Sequence, residues 1–166
     1  MADARSIIDE FSQIAEIDFK DKAGMQPARM ELLRTASSLR KGDPTHSGYR
    51  ISCAESLQLI ATAQQDLAAF DDTFTTIADR RSLWPDDPDM LYVVVQSYCD
   101  FTVRLGWTEE DTATDHADRI RRCQAEAITT FSQAIDAGFE DFQRATLDKS
   151  LAPIQHEALF LDMLQP

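Results

Sequence analysis

The sequence predicts an all-α fold, and three observations carry that expectation. Apolar residues recur at spacings of three and four in one segment after another, which lines them along single helix faces. Glycine at 5 and proline at 6 are too scarce to furnish the turns of an all-β chain. Most of them fall at the ends of the periodic segments, where proline opens or interrupts a helix and glycine closes one. At 166 residues, 43% hydrophobic and 27% charged, residues 1–166 have enough material for a single helical domain with its own core.

Residues 1–45 are expected to form an N-terminal helical pair. Ile7, Ile8, Phe11, Ile14, Ala15 and Phe19 make an amphipathic stripe from Ala4 to Phe19, broken by Lys20 to Gly24. Pro27 suits the first turn of a second helix carrying Met30, Leu33, Ala36 and Leu39, which should stop near Gly42 and Pro44. Thr45 to Ile51 reads as a loop packed by Tyr49. Ser52 and Glu55 have capping-box spacing, so a third helix is expected from Cys53 to about Leu67, with Leu57, Ile60, Ala61 and Gln64 along one side.

A fourth helix should start at Phe70, carry Phe74, Ile77 and Ala78, and end before Pro85. Asp87 followed by Pro88 is a cap with proline at the first helical position. The fifth helix then bears Leu91, Val94, Val95, Tyr98 and Phe101 and closes near Gly106. Its Val93–Val95 run favours strand by composition, but the caps on both sides favour helix. Thr108 with Glu109, Glu110 and Asp111 opens a sixth, long helix to Ala137, in which Ala113, Ala117, Ile120, Gln124, Ala127, Phe131 and Ala134 form one face ended by Gly138. The tail should hold short helical pieces, with Phe142, Leu147, Leu151, Ile154, Leu159, Phe160 and Leu164 covering the open end of the stack.

Helices three to six together resemble tetratricopeptide repeats, helix-turn-helix units of roughly 34 residues. Leu57, Ile60 and Ala61 match the large, large and small positions of a first helix, Phe70 the aromatic of the turn, and Pro85 the closing proline. Gln64, Thr73 and Arg80 depart from the family pattern, which has an aromatic at the first position and alanines at the other two. Leu91, Val94, Val95 and Tyr98 begin a second unit in phase with the first, and Ala127, Phe131, Ala134 and Ile135 fit its second helix. About twenty extra residues, Phe101 to Glu126, resemble a variant whose paired helices run past the usual turn. The run Ala137-Gly138-Phe139-Glu140-Asp141, then Asp148, Leu151, Pro153 and Ile154, resembles the closing segment of bacterial arrays of this type. The resemblance covers residues 52–165 and implies a short superhelix of stacked antiparallel hairpins, about six to eight helices in all, with an extended second hairpin and a C-terminal cap.

It also implies a noncatalytic protein-protein interaction or scaffolding role, in which a groove formed by successive first helices accepts an extended peptide or a partner helix. The candidate groove positions are Gln58, Thr62, Gln65, Gln96 and Asp100. A formal net charge of -13 repels phosphate backbones, so nucleic acid is not an expected partner, whereas another protein or peptide, a basic one included, is compatible with that field. The acidic groups Asp86, Asp87, Asp89 and Glu109, Glu110, Asp111 are accounted for by capping and the helix dipole, and neither has the spacing of a calcium loop.

No cofactor or metal is expected. His46, His116 and His156 lie in separate regions, and no HExxH, phosphate loop or nucleophile elbow is present. A small helical enzyme is the remote alternative. A self-assembling structural protein, or homo-oligomer, is the nearer one, because Trp84, Phe101 and Trp107 fall near helix ends where exposed aromatics mark interfaces. The start of the chain has no basic stretch leading into an apolar run, and Met90 to Val95 is far shorter than the roughly 20 residues that span a bilayer. Cys53, Cys99 and Cys123 are an odd, widely spaced set that reads as reduced thiols. Together these features point to a cytoplasmic protein without a membrane partner.

Overall fold

In the computed structural model, residues 47–66, 69–106 and 113–165 are described. They form six α-helices: α1 (Ser47–Asp66), α2 (Phe70–Leu83), α3 (Pro88–Leu105), α4 (Ala113–Asp136), α5 (Phe142–Leu147) and α6 (Ala158–Met163), with a 3-10 turn at Lys149–Leu151 between the last two. No strand occurs among the described residues. The Val93–Val95 run is helical, as its caps require. The chain divides into two compact units, Met1–Leu83 and Trp84–Pro166. The expected N-terminal helical pair and the Thr108 cap lie outside the described residues.

In the first unit, α1 packs on α2. Leu57, Ile60 and Ala61 are fully buried, and from α2 so are Phe70, Phe74, Ile77 and Leu83 to within a few per cent. Polar residues of this hairpin are buried as well. Gln64, Thr73 and Arg80 are 2%, 0% and 4% exposed, and each makes a side-chain hydrogen bond that offsets part of the cost of burial. The Thr76 hydroxyl lies 2.8 Å from Gln64 Oε1, Thr73 donates to the Ala69 carbonyl at 2.9 Å, and the Arg80 guanidinium donates to Gln58 Oε1. The hairpin is therefore cross-linked from α1 to α2 by the Gln64–Thr76 and Gln58–Arg80 hydrogen bonds.

One boundary differs from expectation. The loop foreseen at Thr45 to Ile51 is replaced from Ser47 onward by the first turns of α1, and Ser52 lies inside the helix rather than at its cap. Capping-box spacing is a local preference of about 1 kcal/mol, which continued backbone pairing upstream overrides. Residues 47–51 contain no proline to stop that continuation, and Gly48 weakens a helix without ending it.

In the second unit, α3 and α4 pack along their lengths. Asp87 caps α3, its side chain accepting from the Met90 amide at 3.1 Å, and Pro88 occupies the first turn. Leu91, Val94, Val95, Tyr98 and Phe101 are buried, the same face that the periodicity picks out. On α4 the expected face divides. Ala127, Phe131 and Ala134 have no exposed surface, whereas Ala117, Ile120 and Gln124 are half-buried. The core of this unit is aromatic: Tyr92 stacks on Phe139 with centroids 4.8 Å apart, and Phe131 meets Phe139 at 5.7 Å and Phe160 at 4.9 Å. Trp84 and Phe101 are buried, so these two aromatics seal a core rather than mark an exposed interface.

Gly138 ends α4 with φ at +104°. The Phe139 amide reaches back to the Ala134 carbonyl at 2.8 Å and the Gly138 amide to Ile135 at 2.9 Å, the paired bonds of a Schellman closure. This turn delivers Phe139 into the aromatic cluster. A Cβ at Gly138 would meet nothing within 4 Å, so a Gly138→Ala change carries only the backbone penalty. Chemical denaturation should show a loss of about 1 kcal/mol, with Gly138→Asn milder.

The tail departs from expectation in part. Leu151, Ile154 and Phe160 are buried and Phe142 and Leu164 half-buried, but Leu147 and Leu159 are 69% and 67% exposed. Helices as short as α5 and α6 have one narrow inward face, which Ala145 and Phe160 occupy.

Candidate functional site

The closing segment meets the first helix of its unit through one carboxylate. Asp148 caps the 3-10 turn, with Oδ1 accepting from the Ser150 amide at 2.9 Å and the Ser150 hydroxyl at 2.7 Å. Its Oδ2 accepts from the Tyr92 hydroxyl at 2.7 Å and from Gln96 Nε2 of the side-chain amide at 2.8 Å. Tyr92 and Gln96 stand one turn apart on α3, so a single carboxylate can reach both. The Arg144 guanidinium lies 4.4 Å over the Tyr92 ring and 3.7 Å from Asp89. Gln155 donates to the Asp148 carbonyl at 3.0 Å, and Gln124 on α4 donates to the Pro153 carbonyl at 2.7 Å. The tail is thereby tied to both long helices.

The electrostatics fix one proton arrangement. Burial pushes the Tyr92 hydroxyl far above its ordinary range, the hydrogen bond to Asp148 and that residue's charge push it further, and Arg144 opposes them. Burial works against the Asp148 charge, but the hydrogen bonds from Ser150, Tyr92 and Gln96 outweigh it and hold the carboxyl below the usual carboxylate range. The two groups are driven apart: tyrosine stays a donor and aspartate an acceptor. Such a pair suits docking and rigidity rather than proton transfer near neutral pH.

The groove positions read from the sequence fall as follows. Gln96 is half-buried and engaged by Asp148. Asp100 is exposed one turn further along α3; partial burial raises its carboxyl, Arg104 opposes the rise, and Asp148 adds to it. In the first unit Gln58 is half-buried and accepts from Arg80, the half-buried Thr62 hydroxyl donates to the Gln58 carbonyl at 3.0 Å, and Gln65 is half-buried. The structure thus joins Gln96 to Asp148 and Asp100 on one helix face, and Gln58 to Thr62 on another. Tyr92, Arg144, Asp148 and Ser150 were not legible as a constellation. The Asp148-Lys149-Ser150 spacing signals a local side-chain-to-backbone turn, and Tyr92 with Gln96 has i,i+4 spacing, but nothing local announces that the two features meet.

Among the described residues no cluster of three or more histidine, cysteine, aspartate or glutamate side chains is placed to hold a metal ion, and no helix is long and apolar enough to cross a membrane. Cys99 and Cys123 are buried free thiols. Burial pushes Cys99 far above its ordinary range, with Asp100, Asp148 and Cys123 adding to the effect. Cys123 is pushed up to about 12 by burial, against the opposing influence of Arg122 and of a hydrogen bond with Thr102. Neither forms thiolate at neutral pH, so iodoacetamide at pH 8 should leave both unmodified in the native protein and alkylate both in denaturant, as read by peptide mass spectrometry. Labelling of either in the native state would contradict this packing.

Comparison with protein-family models, curated proteins and solved structures finds no match to this chain.

Proposed function

We propose that the protein is a noncatalytic binding module built on tetratricopeptide-like helical hairpins, which receives a partner protein or peptide on the first helices of the hairpins, α1 and α3. The observation that carries this reading is a shared register. Leu57, Ile60, Ala61 and Gln64 on α1 recur as Leu91, Val94, Val95 and Tyr98 on α3, each displaced by one repeat length, and all eight are buried. Hairpins that bury the same positions present the same outer positions, and in helical-repeat proteins the outer face of a first helix is a surface that receives a peptide or partner helix.

The start of α4 at Ala113 and the end of α3 at Leu105 support the variant with an extended second hairpin. The capping role of the tail is supported by its ties to Tyr92, Gln96 and Gln124. Asp100, an exposed carboxyl that feels the Asp148 charge, together with a net charge of -13 favours a partner that presents basic side chains. The locked Tyr92–Asp148 pair supports binding over chemistry. Affinity capture from native extract, with the size of the recovered complex measured, tests the proposal. A stoichiometric second protein is the expected product; recovery of this chain alone, as monomer or as oligomer, would overturn it.

A further inference from the structure

We draw no further inference here: the strongest candidate, the exposed leucines Leu147, Leu159 and Leu161 on the short closing helices α5 and α6, is an apolar surface for which nothing in the structure shows what covers it.

Discussion

Phe131→Ala should be the most damaging single substitution in the second unit, costing about 3–5 kcal/mol. The ring has no exposed surface and touches Phe139, Phe160 and Tyr92, the last at 6.4 Å edge-on. Those partners come from α3, from the turn after α4 and from α6, so removing Phe131 leaves a cavity that no single element can collapse to fill. A domain's entire stability is about 5–15 kcal/mol, which makes this loss a large fraction of the total. The thermal midpoint should fall by roughly 12–40 °C at the size of this unit. Phe142→Ala is the natural comparison, because that side chain is half-buried and meets Phe139 edge-on at 6.4 Å. It should cost much less. Circular dichroism melts of the full chain decide the matter, and equal losses for the two variants would contradict the aromatic core.

Asp148→Ala is expected to cost about 1–3 kcal/mol, the range for leaving a buried hydrogen-bonding group without its partner. Tyr92 has no exposed surface, so its hydroxyl cannot turn to solvent once the carboxylate is gone. Asp148→Asn should restore only part of the loss. Its amide oxygen can keep the two Ser150 donors, but its NH2 group then faces the Tyr92 hydroxyl and the Gln96 side-chain amide, both of which must turn from donor to acceptor. The pH dependence has a definite sign. The folded carboxyl lies below its ordinary value of 3.8, so the unfolded chain takes up the proton first on acidification. The stability from Asp148 is therefore present above about pH 4 and is lost as the pH falls through the folded value. The raised carboxyl of Asp100 acts in the opposite sense, since its charged form is the disfavoured one in the fold. Urea titrations from pH 7 down to about pH 3 should show a shallower acid loss in both Asp148 variants than in the parent. An unchanged acid limb would remove Asp148 from its assigned role.

Much of the fold is readable from local chemistry. Asp87 with Pro88, and Gly138 with its positive φ, are signals whose meaning does not depend on distant residues, and both elements begin or end where those residues stand. The buried apolar stripe of α3 follows from periodicity, as do Phe74 and Ile77 on α2, whereas Ala78 is half-buried and the polar Thr73, Thr76 and Arg80 complete that helix's buried face. Two expectations failed for different reasons. The start of α1 at Ser47 follows from backbone pairing that overrides a local cap, whereas the exposure of Leu147 and Leu159 depends on how much neighbouring surface is at hand to bury, which spacing does not encode. The site was less legible than the fold. Gln96 stood out as a polar position on a helix face, but its Asp148 partner is supplied 52 residues later by a turn, and the stacking of Tyr92 on Phe139 likewise joins distant segments. Tyr92 reads as one more apolar position in the run from Met90 to Val95 until the fold brings the tail beside it.

The groove-binding role is tested most directly by comparing partner capture for three forms of the full chain: the parent, a Gln65→Arg/Asp100→Arg double variant, and Leu159→Arg as a control. Gln65 and Asp100 lie on the proposed binding helices with Asp100 exposed, whereas Leu159 is exposed on the closing helix α6. Added positive charge should repel a basic partner at the first two positions and leave helix content unchanged by circular dichroism. The expected result is at least a tenfold loss of affinity in the double variant, equivalent to about 1.4 kcal/mol or more, with the Leu159→Arg control binding like the parent. Equal capture by all three, or loss confined to Leu159→Arg, would contradict a partner seated on α1 and α3.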